Sequence, residues 1–307
     1  LAEKLKEISG FDRVYFCNSG SEAFESAVKL SRKWGNPQGK TEIIGFSGGF
    51  HGRTYAPLSV MDRPLYKDGM EPFLTNTEVL PFNDSVALRK AVNHNTCALA
   101  LEFLQGEGGV TSATAEFVET IEELRREYGF LLIADEVQAG GGRTGTFFGY
   151  QHHGIQPDIV TMAKAIGGGL PLGAMLARED VAQVWKSGMH GTTYGGNALS
   201  CVAGLVVLEE LKNGVIDNVN QIGEYLKHEL SKLKIEFPTM ILELRGRGLM
   251  QGIVVNGEAL PFVTALLSRG VIANATAGNV IRLLPPLTIT KGDVDEFIGH
   301  LREVIAS

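Results

Sequence analysis

Short apolar runs alternate with segments of helical period through most of this sequence, and that alternation narrows the choice of fold more than any other feature. Residues 14–17, 42–46, 98–104, 130–135, 158–163 and 172–177 read as buried strands. Helices are expected near residues 22–34, 85–92 and 114–128. In the first of these, Phe24, Ala27, Val28 and Ser31 line one stripe. Strands that alternate with helices predict an α/β fold, a mostly parallel sheet with helices on both faces. Beyond a helical run at 197–211 the pattern changes to a long helix at 217–233 and strands at 240–245 and 248–255. A helix at 258–268, a strand at 280–284 and a terminal helix from Lys291 follow, which is α+β. The expected division is therefore a large domain over 1–212 and a smaller α+β domain over 213–307.

A net charge of −7 and a pI near 5.6 argue against nucleic acid or an anionic membrane as a partner. No apolar run reaches the roughly 18 residues that a membrane span needs. Cys17, Cys97 and Cys201 lie in apolar contexts without metal-ligand spacing, which reads as reduced, buried thiols of a cytoplasmic protein. The histidines show no H-E-x-x-H spacing either, so no metal is expected. Leu1, Leu5 and Ile8 fall on one face of what reads as the tail of an amphipathic helix, with no initiating methionine. The chain is expected to be a piece of a longer protein.

Lys164 stands in I-V-T-M-A-K-A-I-G-G-G, a cation within an apolar, glycine-terminated stretch, and is expected to be buried. Burying an ammonium is costly, and a lysine so placed is often one whose neutral amine attacks a carbonyl. The plain alternative is a lysine at a loop mouth, with its head in water. Upstream, F-L-L-I-A-D-E reads as a buried strand ending in two acids. Ligands of open α/β sheets bind beyond the carboxyl ends of the strands, which points Asp135 at a site. A carboxylate there can keep a pyridine nitrogen protonated, or simply cap the next loop. N-S-G-S-E joins a strand to a helix, and its Gly20 lets backbone N–H groups approach an anion, or it is an ordinary N-cap turn. In G-G-F-H-G-R-T, Phe50 can cover a ring and Arg53 can take a carboxylate, unless Arg53 is a surface residue. Glu107 lies in the loop Q-G-E-G-G, and Arg282 is a cation in an apolar strand that requires a carboxylate partner. Gly140 to Gly145 match the dinucleotide pattern G-x-G-x-x-G literally. The preceding strand ends too early, however, and aromatic residues follow where a helix should start.

N-S-G-S-E, F-H-G-R-T, Q-G-E-G-G-V, I-A-D-E-V-Q, G-R-T-G, P-D-I-V-T-M-A-K-A-I-G-G-G, H-G-T-T-Y-G-G-N and V-I-R-L-L-P-P-L occur here in that order. Together they resemble the ω-aminotransferases of the type I pyridoxal phosphate fold, over nearly the whole chain. The resemblance implies pyridoxal 5'-phosphate as cofactor, with Lys164 as its Schiff-base lysine and proton shuttle. Asp135 would pair with the pyridine nitrogen and Gln138 with the ring hydroxyl. Gly20 and Ser21 would donate to the phosphate, and Phe50 would stack on the ring. Thr193 would reach the phosphate of a neighbouring subunit, which implies a homodimer with shared sites. Arg53 would bind the substrate carboxylate, while Glu107 and Arg282 would form a gate that opens for 2-oxoglutarate. N-acetylornithine is the expected amine donor, a step of arginine biosynthesis. Ornithine, 4-aminobutyrate, succinylornithine, a carrier-linked lysine, and a racemase or aminomutase of the same fold are the alternatives. L-E-F-L stands at residues 101–104 where the family has E-P-I or E-P-V, and Gly141 where methionine is frequent. Relatives also carry a preceding N-terminal part that supplies pocket and dimer contacts.

Overall fold

The computed structural model describes residues 1–306. Helix α1 (Ala2–Ser9) ends on Gly10, whose left-handed backbone (φ 72°) turns the chain into β1 (Arg13–Cys17). Helix α2 (Gly20–Gly35) leads to β2 (Glu42–Phe46), and the short helices α3 (Tyr55–Ser59) and α4 (Pro64–Lys67) lead to β3 (Thr77–Leu80). Helix α5 (Ser85–Ala91) precedes β4 (Thr96–Leu101), after which β5 (Leu104–Gln105) and β6 (Thr111–Ser112) form a hairpin. Helix α6 (Ala115–Tyr128), β7 (Leu131–Asp135), β8 (Ile159–Met162) and β9 (Gly173–Ala177) complete this part.

Seven of these strands make one sheet in the order β1-β9-β8-β7-β4-β2-β3. Pairing is parallel from β8 through β7, β4 and β2 to β3, whereas β9 runs against both of its neighbours. The central strands are buried on both faces, which is why they read as continuous apolar runs. Their side chains divide by pleat: Leu99, Leu101, Leu132 and Val160 join one core, and Ala98, Ala100, Ile133 and Ile159 the other. Phe24, Ala27 and Val28 of α2 fill the second core, and Ser31 is buried beside them.

Helices α7 (Glu179–Ala182) and α8 (Ala198–Glu210) follow, and then α9 (Ile216–Glu236). Between α8 and α9 the backbone leaves helical geometry at Asn213 and at Gly214, whose φ of 120° suits glycine. Strands β10 (Ile241–Arg247) and β11 (Met250–Val255), helix α10 (Leu260–Leu267), strands β12 (Asn274–Thr276) and β13 (Val280–Leu283), and helix α11 (Lys291–Ala306) finish the chain. The four strands form an antiparallel sheet in the order β10-β11-β13-β12. It shares a separate core with α9 and α11, in which Leu226, Leu230, Ile253, Ile281 and Leu301 are buried.

Three expectations need adjustment. The strand expected at 98–104 stops at Leu101, because the chain turns into the hairpin there. Strands β3 and β12 were not anticipated, and Cys201, on α8, is only half-buried. Among the described residues no helix is long and apolar enough to cross a membrane. The sheet brings the carboxyl ends of β4, β7 and β8 side by side, so Glu102, Asp135 and Lys164 arrive at one edge.

Candidate active site

A cavity of about 480 Å³ opens at that edge. One wall is the start of α2. Ser19 is the N-cap: its hydroxyl accepts from the Glu22 N–H at 3.2 Å, and the Glu22 carboxylate reaches back to the Asn18 N–H at 2.5 Å. The N–H groups of Gly20 and Ser21 precede the first intrahelical donor, the Ala23 N–H that bonds the Ser19 carbonyl at 3.1 Å, so this wall offers unpaired donors at the positive end of the helix. A side chain on Gly52 (φ 124°) would overlap the Ser21 hydroxyl, so glycine allows the two loops their close approach.

The floor is polar and nearly closed to water. Asp135 accepts from His51 Nδ1 at 2.7 Å and from the Val137 N–H at 3.1 Å, with both side chains of the His–Asp pair at most 2% exposed. The His51 ring stacks on Phe24 at 4.4 Å, which fixes its plane. Glu102 accepts from the Phe50 N–H at 3.0 Å and the Gly106 N–H at 3.2 Å; burial, with Asp135 close by, pushes its carboxyl up to about 7. Glu136 points away from this cavity lining. It accepts from the N–H groups of Gly149 (2.7 Å) and Tyr150 (2.9 Å), and burial pushes it up to about 8.

Lys164 lines the cavity, as expected, but it is exposed rather than buried. Strand β8 ends at Met162, and the left-handed backbone of Lys164 (φ 48°) turns it out at the open edge. Phe50 and Gln138 also line the cavity, Phe50 with its ring edge-on to Tyr66 at 6.0 Å. Arg53 and Thr193 do not line it. Arg53 is exposed, with its guanidinium 4.3 Å over the Tyr66 ring, and Thr193 is exposed beside Thr192, which accepts from Asn18. Glu107 and Arg282, far apart in sequence, form an ion pair at 2.7 Å. Arg282 is 8% exposed and also donates to Gln138 at 3.3 Å and to Asn274 at 2.8 Å, so the pair is tied to the cavity wall. The segment Gly140 to Gly145 forms a turn with positive φ at Gly141, Gly142 and Gly145, outside the cavity lining, and no helix starts at its glycines; only the short helical turn Gly149–His153 follows.

The family model described as aminotransferase class-III matches residues 1–305. The chain belongs to this family. Class-III aminotransferases work with pyridoxal phosphate, and the α/β fold here is the type I fold of those enzymes. The acetylornithine aminotransferase of Archaeoglobus fulgidus is 45% identical over 299 residues, covering 97% of this chain and 77% of that protein. Its counterpart from Aquifex aeolicus is 42% identical, with 99% and 80% covered. Among solved structures, ornithine aminotransferase from Toxoplasma gondii superposes with a TM-score of 0.94 at 31% identity, covering 99% of this chain and 75% of that one. N-acetylornithine aminotransferase from Stenotrophomonas maltophilia superposes at 0.85 with 36% identity, covering 99% and 78%. Sequence and structure thus agree on the aminotransferase fold of this class-III chain.

His51, Glu102 and Asn274 are the residues of this site that the sequence reading passed over. His51 and Glu102 sit inside quoted motifs, but each finds a key partner more than fifty positions away. Only the fold makes those pairs.

Proposed function

We propose that this chain moves the terminal amino group of N-acetylornithine to 2-oxoglutarate, with pyridoxal 5'-phosphate held in the cavity. The observation that carries this reading is the meeting of Lys164, Asp135 and the start of α2 around one cavity. The donor set suits the cofactor: unpaired N–H groups for a phosphate, a buried carboxylate for a pyridine nitrogen, an aromatic ring and an amine. When bound, the cofactor supplies a carbonyl that takes up amines and a ring that accepts electrons. The N–H groups of Gly20 and Ser21 hold the phosphate, Phe50 covers the ring, and Gln138 takes the ring hydroxyl. Asp135 keeps a proton on the pyridine nitrogen, with His51 and Val137 N–H fixing the plane of its carboxylate. Lys164 would supply the amine that holds the cofactor's carbonyl, and the same amine would move the proton at the substrate carbon. Arg53 anchors the donor carboxylate. Arg282 is neutralised by Glu107 while the donor is bound, and takes the second carboxylate of 2-oxoglutarate when Glu107 swings away.

The reading includes residues 1–212 as the cofactor-binding domain and 213–307 as a smaller domain. It also includes a homodimer in which Thr193 reaches the partner's phosphate. Support for the dimer comes from a line of exposed apolar residues: Tyr194, Leu199, Val202 and Val206 are each more than half exposed. The test is kcat/KM for a panel of amines at constant 2-oxoglutarate. N-acetylornithine is expected to lead. A preference of about tenfold or more for 4-aminobutyrate or free ornithine overturns the donor and leaves the aminotransferase standing. Racemisation without amino transfer overturns both.

A further inference from the structure

Glu102 has no part in the chemistry above, yet it is only 4% exposed in the cavity wall and its carboxylate holds two separate loops. It follows the last residue of β4, so its backbone is fixed by the sheet. One oxygen takes the Phe50 N–H, 52 positions away, and the other takes the Gly106 N–H. Phe50 lines the cavity, and in the proposed reading its ring covers the cofactor. Gly106 immediately precedes Glu107, and it packs so tightly on the Gln138 amide that no side chain would fit between them. The position of Gly106 therefore sets Gln138, and through Gln138 one hydrogen bond of Arg282.

We infer that Glu102 is a positioning residue that keeps the Phe50 loop and the Glu107 loop in register, so that the acceptor's carboxylate and the covered ring are presented together. The inference rests on the aminotransferase reading of this same cavity. Above a pH of about 8, where Glu102 is ionised despite its raised pKa, its carboxylate offers an acceptor to each loop, whereas an amide has one acceptor oxygen and turns its NH2 toward the other N–H donor. Glu102→Gln must then release one loop, although its shape is nearly unchanged. The loops stay joined by a second bond, from Gln105 Nε2 to the Ser47 carbonyl at 2.8 Å, so the variant is expected to fold.

Two measurements on the cofactor-loaded protein, both at a pH of about 8.5 so that Glu102 is ionised, decide the matter. Amide hydrogen exchange should speed up by about tenfold or more at Phe50 or Gly106 in Glu102→Gln, and at both in Glu102→Ala, with α6 unchanged. In steady state, Glu102→Gln should raise KM for 2-oxoglutarate by about tenfold, while the single-turnover rate with the amine donor falls less than about threefold. Wild-type exchange at both amides in both variants overturns the inference, as does an equal loss in the donor and acceptor halves. If wild-type protein transfers no amino group at all, the aminotransferase reading fails, and the exchange data still decide whether Glu102 couples the loops.

Discussion

Asp135 gains its setting from residues that no local motif reveals. Its carboxylate is closed in by His51 on one oxygen and the Val137 N–H on the other, and Phe24 braces His51 from behind. An asparagine has one acceptor oxygen for these two donors, and a neutral amide cannot keep a pyridine nitrogen protonated. Asp135→Asn is therefore expected to lower kcat/KM by a hundredfold or more, about 3 kcal/mol of barrier. The urea midpoint should be measured alongside, to separate that loss from unfolding. Wild-type turnover in Asp135→Asn would remove this residue from the mechanism. The half of the site made of local signals was legible in the sequence: a lysine after an apolar strand, an acid at a strand end, a serine-glycine helix start. The burial of Lys164 was misread, because an apolar run does not say that its strand stops two residues before the lysine. The Glu107–Arg282 pair could be proposed only by family resemblance, since 175 positions separate the two residues.

At the level of elements, Glu136 ties the end of β7 to the short helical turn that starts at Gly149. Replacing it with glutamine leaves one buried N–H without an acceptor, a cost of roughly 1–3 kcal/mol. Burial raises this carboxyl from its ordinary 4.5 to about 8, so the folded state prefers the protonated form. A folded pKa above the unfolded one gives stability that is complete below the unfolded value and fades as pH rises through the folded value. The wild-type advantage over Glu136→Gln should therefore shrink as pH climbs from 4.5 toward about 8. Paired urea titrations across that window check this. A difference that is flat or grows with pH contradicts it. The large sheet was largely readable because its central strands are buried on both faces, and a run such as 42–46 announces itself by composition. Strands β3 and β12 each lie at a sheet edge, and both are short and only partly buried, so neither carries a strong apolar signal. The reversed direction of β9 is a matter of connectivity, which periodicity does not encode.

For the whole molecule, the question is whether one chain makes one complete site. Asn18, at the start of α2, holds Thr192 at 3.1 Å, yet Thr193 is exposed and stays out of the cavity lining. A residue placed to face outward beside an apolar surface can serve a second copy, and two-fold symmetry makes that service mutual. Mixing two damaged proteins tests the arrangement. Thr193→Val should weaken cofactor retention in the partner's site, and Lys164→Ala should abolish turnover in its own. In a mixed dimer the subunit that keeps Lys164 receives an intact Thr193 from its partner, so that site is whole, while the other carries both defects. Random exchange puts about half of the dimers in the mixed form, each with one working site, so about a quarter of wild-type activity should return at limiting cofactor. If the subunits exchange and activity does not rise above that of either parent, each chain works alone and Thr193 has no role across the interface.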